Sequence, residues 1–379
     1  MLAFAALSDR NPYYSEVDDG DWNDWRWQQR RRVTTLEELE RVIRVTDEER
    51  EAYRACVETF RMAITPYYLS LMSPDDPACP IRRQAVPSLG ELTVLNGELA
   101  DPLSEEAHMP APGLTHRYPD RALLYTTHHC AMYCRFCTRK RKVSDPSSQL
   151  ARPLLEDALE HIRRTPAIKD VIVSGGDPLS LSTERLGQIL TALDAIPHVE
   201  VARIGTRNLV TLPQRVDEEL AQMLRDHQTR RLAVFVMTHF NHPAECTDAA
   251  WVACERIARS GTPIQNQMVL LRGVNDEPST VIDLNRRLLR MRVKPYYMLQ
   301  ADMAEGIGHF RTSVKRGVEI LESLRGHVSG LAVPQYVVDL PGGGGKVSLV
   351  PDYVISSVPG EWVFRNYQGR AIPYPETEL

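Results

Sequence analysis

The 379-residue sequence lacks any apolar run of the ~18 residues that a membrane-spanning helix requires. Its first ten residues, MLAFAALSDR, have neither the basic region nor the long apolar stretch of an export signal. Basic residues are not in excess, since 50 acidic and 45 basic residues are interspersed along the chain, so the charge pattern of a nucleic-acid-binding protein is missing. We therefore expect a cytoplasmic protein that binds neither a membrane nor a nucleic acid.

Cysteine is also scarce, and its distribution excludes one class of protein. The seven cysteines are an odd number, and three of them fall between positions 130 and 137. This arrangement is not the disulfide framework of a small secreted domain. Internal repeats and low-complexity segments are lacking as well. Reduced thiols or a metal site are expected.

The order of apolar segments predicts an α/β protein. The N-terminal region is polar and helical, with amphipathic runs at 35–43 and 47–62, and it ends in a proline-rich segment, the strap, at 102–112. Short apolar runs then alternate with helical patterns. Strands are predicted at 122–126, 171–173, 201–204, 233–237, 264–270 and 295–299. Such alternation indicates parallel βαβ units, and hence a sheet or partial barrel whose sites lie at the carboxyl ends of the strands.

Cys130, Cys134 and Cys137 form a CxxxCxxC motif just after the first predicted strand of this region. A four-iron cluster needs a ligand on each iron, so three cysteines leave one iron free to bind another molecule. A zinc knuckle is the alternative, but a structural zinc normally takes four protein ligands, and no histidine pair follows at zinc-finger spacing. The motif therefore predicts a 4Fe–4S cluster.

A glycine motif, Ser174-Gly175-Gly176-Asp177, follows the predicted strand at 171–173. Bare glycine backbone permits close approach of a ligand, and backbone N–H groups can bind a carboxylate. The motif alone is equally compatible with a plain loop. Its position beside the cysteine motif favours a ligand site.

Lys346 follows four consecutive glycines, after an apolar run at 333–338 that resembles a strand. Four glycines are entropically costly, so a tight approach to a ligand is a reason for them. A flexible tether with a solvated lysine is the alternative. A buried lysine can also form a Schiff base with pyridoxal phosphate.

Blocks along almost the whole chain resemble the lysine 2,3-aminomutases, a pyridoxal-phosphate-dependent branch of the radical S-adenosylmethionine superfamily. The blocks are WNDWRWQ (22–28), RMAITPYYLSL (61–71), PGLTHRYPDR (112–121), CAMYCRFCTR (130–139), SGGD (174–177), THFNHP (238–243), LLRGVND (270–276), HFRT (309–312) and PGGGGK (341–346). The resemblance implies an isomerase with a partial (βα)6 radical-SAM barrel. It divides the chain into a helical N-terminal region and strap (1–115), the barrel (116–330) and a C-terminal segment that binds pyridoxal phosphate (331–379).

The resemblance also implies roles for individual residues. The free iron of the cluster is expected to bind the methionyl group of S-adenosylmethionine. Further contacts to S-adenosylmethionine are assigned to Ser174, Gly175, Gly176, Asp177, His239 and Gln267. Lys346 is expected to hold pyridoxal phosphate, together with Arg117 and Arg121, because the planar guanidinium group suits phosphate.

The resemblance places Arg139 on the substrate carboxylate, and Asp302 and Asp339 around the distal ammonium group of the substrate. A glutamate substrate facing both aspartates would leave buried like charges unpaired. L-lysine, converted to L-β-lysine, is therefore the expected substrate. L-arginine stays open, because a guanidinium can also bridge two carboxylates, and Phe136 and Leu299 stand where enzymes acting on lysine commonly have histidine and tyrosine. Glutamate and a protein-bound lysyl side chain are the remaining alternatives.

Two further expectations concern metals and partners. Some relatives bind a structural zinc through cysteines near the carboxyl end, but residues 255–379 contain no cysteine and Glu277 replaces one ligand. No structural zinc is expected. The resemblance also implies an electron donor such as flavodoxin or ferredoxin, and a homodimer or homotetramer.

Overall fold

The computed structural model describes residues 10–143 and 152–375. Its N-terminal region is helical, as predicted. The helices there are α1 Asp19–Asn23, α2 Trp25–Arg30, α3 Leu36–Glu40, α4 Asp47–Cys56, α5 Pro66–Ser70 and α6 Pro80–Arg83. Capping boxes begin α3 and α4, in which a threonine hydroxyl and a glutamate carboxylate each accept a hydrogen bond from the other residue's N–H. Helix α3 ends before the predicted boundary because the chain turns to bury Val42 and Ile43.

One nine-stranded sheet forms the centre of the molecule, with its strands in chain order. The strands are β1 Leu114–Tyr118, β2 Arg121–Thr127, β3 Asp170–Gly175, β4 Val201–Gly205, β5 Ala233–Thr238, β6 Ile264–Leu270, β7 Val293–Gln300, β8 Gln335–Leu340 and β9 Gly345–Leu349. Strands β2 to β8 are parallel, whereas β1 and β9 are antiparallel edge strands. The sheet is therefore open.

Helices connect the parallel strands. They are α7 Arg152–Arg164, α8 Thr183–Asp194, α9 Asn208–Thr211, α10 Glu218–Asp226, α11 Asp248–Arg259, α12 Pro278–Arg290 and α13 Val314–Leu324. Each connection between neighbours from β2 to β8 contains at least one of these helices, which confirms the predicted partial (βα)6 barrel. The six strands predicted from apolar runs correspond to β2–β7, and the run at 333–338 overlaps β8. The edge strands β1 and β9 were not predicted.

A second sheet, not predicted from the sequence, follows the first. It contains β10 Val354–Val358, β11 Glu361–Arg365 and β12 Ala371–Pro375, all antiparallel. No helix among the described residues is both long enough and apolar enough to cross a membrane.

The N-terminal helices and the large sheet share one hydrophobic core. Leu39 and Tyr68 from the N-terminal region belong to the same buried cluster as Val171 and Ile204 from β3 and β4. The strap leaves this core and reaches the carboxyl ends of the strands, where the N–H of Gly342 donates to the carbonyl of Pro102 at 3.1 Å. The division of the chain at residues 115 and 330 stays a prediction.

Candidate active site

A cavity of about 540 Å³ extends from the loops after the parallel strands to Arg121 and Asp170, the first residues of β2 and β3. All the residues predicted for the site line it: Cys130, Cys134, Cys137, Arg117, Arg121, Arg139, Ser174, Gly175, Gly176, Asp177, His239, Gln267, Asp302, Asp339 and Lys346. The loops after successive strands are the expected location for a ligand site in a sheet of parallel strands, but Arg121 lies at the amino end of β2.

The three cysteines lie at one end of this cavity and none forms a disulfide. Burial and the neighbouring Cys134 thiol raise the pKa of Cys137 to about 11, and burial also raises the pKa of Cys130. Thiols in such surroundings become thiolates when a metal supplies positive charge. Among the described residues, no three histidine, cysteine, aspartate or glutamate side chains lie where they could hold a single metal ion. A cluster that takes one thiolate on each of three irons fits the cysteine trio better.

The Ser174–Asp177 turn holds the beginning of the cysteine loop. The N–H of Gly176 donates to the carbonyl of Thr127 at 2.6 Å, and the N–H of Asp177 donates to the carbonyl of His129 at 2.8 Å. Gly175 has a φ of +110°, and a Cβ on Gly176 would lie 2.4 Å from the His129 oxygen. The lack of side chains at these glycines therefore leaves room for the backbone that leads into the cysteine loop. The N–H groups of Gly176 and Asp177, two of those that could bind a ligand carboxylate, are used in this contact.

Asp177 organises the next loop as well. Its carboxylate accepts hydrogen bonds from the Leu179 N–H at 3.0 Å, the Thr206 hydroxyl at 2.7 Å and the Arg207 N–H at 2.8 Å. Burial raises the pKa of Asp177 in spite of these bonds. The side chain predicted to contact S-adenosylmethionine therefore joins the loops after β3 and β4.

Arg207, which was not predicted, lies behind the cysteine loop. Its Nη1 donates to the Cys134 sulfur at 2.8 Å, and its Nη2 donates to Gln84 at 2.7 Å and to the buried carboxylate of Glu245 at 2.8 Å. Its guanidinium also lies 5.0 Å from the centroid of the Phe136 ring. A buried cation in this place stabilises negative charge on the sulfur.

Two buried polar atoms near the cysteines have no partner among the described residues. They are Thr238 Oγ1 and His239 Nε2, and both residues line the cavity. Burial and the charge of Arg207 lower the pKa of His239 to about 3, so its imidazole is neutral. Unpartnered buried polar atoms indicate a polar ligand. This end of the cavity, which Gln267 also lines, therefore fits S-adenosylmethionine.

Tyr118 organises a cationic group at the other end of the cavity. Its ring lies 3.9 Å from the guanidinium carbon of Arg121 and 4.9 Å from that of Arg117. Its hydroxyl accepts hydrogen bonds from the Lys346 N–H at 2.9 Å and from Arg117 Nη2 at 3.3 Å. Two arginines beside a lysine form a group that suits a phosphate, so these residues fit pyridoxal phosphate.

The four glycines before Lys346 form a defined turn. Gly342, Gly343 and Gly345 have φ values of +69°, +82° and +84°, and a Cβ on Gly343 would lie 2.7 Å from the His108 ring in the strap. The glycine run therefore makes its close approach to the strap and not to a ligand of the kind that the sequence suggested. A flexible tether is not what the structure shows. The possibility of a Schiff base favoured a buried lysine, but the Lys346 side chain is 32% exposed.

The two aspartates predicted for the substrate have different surroundings. Asp339, which pairs in register with Lys346 across β8 and β9, accepts from Lys346 Nζ and from Arg117 Nη2, the latter at 3.2 Å. Asp302 accepts no hydrogen bond from the described residues. Burial and the charge of Asp339 raise the pKa of Asp302 to about 7, although Lys346 and Arg139 oppose this. A second cation beside Asp302 would relieve the repulsion.

Arg139, which is half-buried, forms an ion pair with the buried Glu105 that sequence reasoning missed. Its Nε donates to both carboxylate oxygens of Glu105, at 2.9 and 3.1 Å, and its Nη2 donates to Oε1 at 2.6 Å. Its guanidinium carbon lies 5.5 Å from the centroid of the Tyr125 ring. Burial opposes ionisation of Glu105, but the charge and hydrogen bonds of Arg139 lower its pKa to about 2.

The residues that were missed differ in the signal they offered. Arg207 follows the predicted strand at 201–204, so the rule that sites lie at strand ends could have found it. Tyr118 lies inside a quoted block, in which only the arginines were assigned. Glu105 lies in the polar strap, where nothing in the sequence separates it from Glu106.

Comparisons with known proteins identify the family of the chain. The family profile Lysine-2,3-aminomutase matches residues 321–379, and the profile Radical SAM superfamily matches residues 124–284. The L-lysine 2,3-aminomutase of Clostridium subterminale is 48% identical over 98% of this chain and 88% of that protein. The corresponding values are 46%, 98% and 87% for the L-lysine 2,3-aminomutase of Fusobacterium nucleatum, and 42%, 93% and 82% for the glutamate 2,3-aminomutase of Clostridioides difficile. The chain therefore belongs to the lysine 2,3-aminomutase family of the radical S-adenosylmethionine superfamily.

Proposed function

We propose that this protein is an L-lysine 2,3-aminomutase, an isomerase that moves the α-amino group of L-lysine to the β-carbon and gives L-β-lysine. One observation carries the choice of substrate: Asp302 and Asp339 line the same cavity as Arg139, and Asp302 accepts no hydrogen bond from the described residues. An α-amino acid with a cationic side chain complements such a site, because each of its charged ends meets an opposite charge.

Three groups of residues would hold the cofactors. Cys130, Cys134 and Cys137 would bind a 4Fe–4S cluster, and the cavity wall that contains Thr238 and His239 would bind S-adenosylmethionine. At the other end, Tyr118 and Lys346 with the two neighbouring arginines would bind pyridoxal phosphate. When bound, the cluster and S-adenosylmethionine would supply hydrogen-atom abstraction, and pyridoxal phosphate would supply an aldehyde group that holds the migrating nitrogen and a conjugated ring that delocalises the unpaired electron.

The protein's own task is to hold both ends of the substrate, because moving an amino group to the adjacent carbon requires little change in the rest of the molecule. Arg139 binds the carboxylate, and Asp302 and Asp339 bind the side-chain ammonium group. Fixing the reacting carbons between these contacts lowers the entropic part of the barrier. Lys346, whose Nζ contacts Asp339 in the structure, would hold pyridoxal phosphate beside that carboxylate.

The charge of the site argues against L-glutamate. A second substrate carboxylate would face Asp302 and Asp339, and the two cations that contact Asp339, Arg117 and Lys346, are the ones assigned to pyridoxal phosphate. Burying like charges without a partner costs several kcal/mol. An electron donor and a homo-oligomeric assembly stay predictions from the family resemblance.

The decisive experiment compares substrates on one preparation. Protein reconstituted anaerobically with the three cofactors and a strong reductant is incubated with L-lysine, L-arginine, L-glutamate or a lysyl residue in a protein acceptor. We expect a β-amino acid from L-lysine as the main product, identified by mass spectrometry. Predominant turnover of any other substrate would contradict the proposal.

A further inference from the structure

The ion pair between Glu105 and Arg139 uses one edge of the guanidinium group and leaves the other edge without a hydrogen bond to the described residues. Glu105 accepts from Nε and Nη2, while Nη1 donates to no described residue. Arg139 lines the cavity, and its Nη1 is not among the buried polar atoms without a partner. A guanidinium group has five N–H donors in a rigid plane. Arg139 can therefore bind a second carboxylate while it stays paired with Glu105.

Glu105 belongs to the strap, and hydrogen bonds to the strap backbone hold this residue in place. The Thr115 hydroxyl donates to the backbone carbonyl of Glu105 at 3.4 Å, and Arg117 Nη1 donates to the carbonyl of Leu103 at 3.3 Å. Directly before the strap, Asp101 forms an ion pair with Arg141 at 3.1 Å. Contacts on both sides of Glu105 thus fix the carboxylate relative to the cavity.

A substrate carboxylate would add to this pair rather than replace Glu105. The Glu105 side chain is 6% exposed, and Arg139 is its ion-pair partner. Displacement would remove the main counter-ion of a buried carboxylate and leave it only the Tyr125 hydroxyl and the weaker effect of the Lys142 charge, which is unfavourable. Addition at the Nη1 edge leaves the existing pair intact.

We propose that Glu105 is a positioning residue for substrate binding: it holds the Arg139 guanidinium with its Nη1 edge toward the cavity, where the α-carboxylate of the amino acid binds. This inference rests on the proposed function, which assigns Arg139 to that carboxylate. Glu105 does not touch the substrate. Its effect is to fix the direction of the donors, so a ligand with a carboxylate depends on Glu105 and a ligand without one does not.

The test measures binding rather than turnover. Dissociation constants for L-lysine and for 1,5-diaminopentane, which lacks the carboxylate, are determined by calorimetry on protein loaded with pyridoxal phosphate. For E105Q we expect binding of L-lysine to weaken about tenfold or more, in keeping with a lost charge-assisted contact, and binding of 1,5-diaminopentane to stay within about twofold. The neighbouring E106Q is the matched control, because Glu106 is an exposed strap residue whose ion pairs are with Arg141 and Lys142.

Unchanged or tighter binding of L-lysine by folded E105Q would overturn the inference, since tighter binding means that Glu105 competes with the substrate. Equal weakening for both ligands would also overturn it, because the role would then be structural. If E105Q does not fold, E105D retains the charge but shortens the reach. We expect it to weaken L-lysine binding at least threefold, and affinity equal to that of the unaltered protein would overturn the inference.

Failure of the proposed function is distinguishable from failure of this inference. If the unaltered protein binds no L-lysine, the proposed substrate is wrong whatever Glu105 does. The same variants are then compared with the α-amino acid that the protein does convert and with its decarboxylated analogue, because every α-amino acid presents the same carboxylate to Arg139.

Discussion

Gly176 and His129 approach so closely that a Cβ on the glycine would lie 2.4 Å from the histidine carbonyl oxygen. The contact joins the turn after β3 to the loop that carries the cysteines. Because the blocking atom is backbone, no side-chain rotation can relieve the clash.

Replacing Gly176 with alanine should therefore displace the cysteine loop. We expect G176A to lose about 1–3 kcal/mol of stability, the usual cost of overpacking, and to bind much less iron after reconstitution. Thermal unfolding and iron analysis measure the two effects. G330A is the control, because a Cβ on Gly330 meets no atom within 4 Å. Full iron content and an unchanged Tm in G176A would show that the contact is not required.

Lys346 and the cysteines lie at opposite ends of the cavity, so their cofactors should be separable. In K346A we expect the absorbance of enzyme-bound pyridoxal phosphate to disappear while the iron content stays unchanged, because the substitution leaves the cysteine loop intact. Ultraviolet–visible spectra before and after reconstitution check this. A pyridoxal phosphate spectrum like that of the unaltered protein would refute the role of Lys346.

The raised pKa of Asp302 predicts a pH dependence of substrate binding. Below about pH 7 Asp302 is protonated and neutral, so it cannot attract the ammonium group of lysine. Affinity for L-lysine should therefore rise as the pH increases through 7. In D302N we expect affinity about tenfold to a hundredfold lower at pH 8, from the loss of a charged contact of roughly 1.5–3 kcal/mol, with little dependence on pH.

Calorimetric titrations with L-lysine between pH 6 and 9 measure this effect. L-norleucine, which lacks the distal ammonium group, is the control ligand and should show no such rise. A D302N protein with the pH profile of the unaltered protein would assign the titration to another group.

The same group should affect stability in the opposite direction. Because the pKa of Asp302 is higher in the folded protein than its ordinary value of about 4, the folded state binds the proton more tightly than the unfolded state. Its contribution to the free energy of unfolding therefore decreases as the pH rises from about 4 to 7. We expect D302N to be more stable than the unaltered protein at pH 8, by up to about 4 kcal/mol because the two pKa values differ by about three units, and equally stable at pH 4. Urea denaturation at both pH values measures the difference.

The fold was predictable where apolar residues carried the pattern. Strands β2–β7 have alternating buried positions between helices with apolar faces, so each strand appears in the sequence as a short apolar run. Strand β9 begins in a glycine run and β10 is exposed throughout. These strands are held by pairing with their neighbours, and backbone pairing leaves little trace in the composition of a strand.

The site was predictable only in part, for a related reason. The residues predicted to bind cofactors stand at strand ends or in short motifs, and the family resemblance assigned them. Glu105 acts through Arg139, which lies 34 positions further along the chain, and Arg207 meets Glu245 and Cys134 only after the loops assemble. Such contacts depend on three-dimensional placement, which residue types and spacing alone do not determine.

Because the strands follow one another in chain order, the sheet holds the two ends of the cavity with different numbers of strand pairings. The cysteine loop and the turn that supports it follow neighbouring parallel strands, β2 and β3, each of which pairs with a strand on both sides. Lys346 lies on β9, an edge strand held by a single antiparallel partner. Local opening of that edge would release the lysine while leaving the cysteines in place. On heating or in dilute denaturant, the protein loaded with its cofactors should therefore lose pyridoxal phosphate before it loses iron.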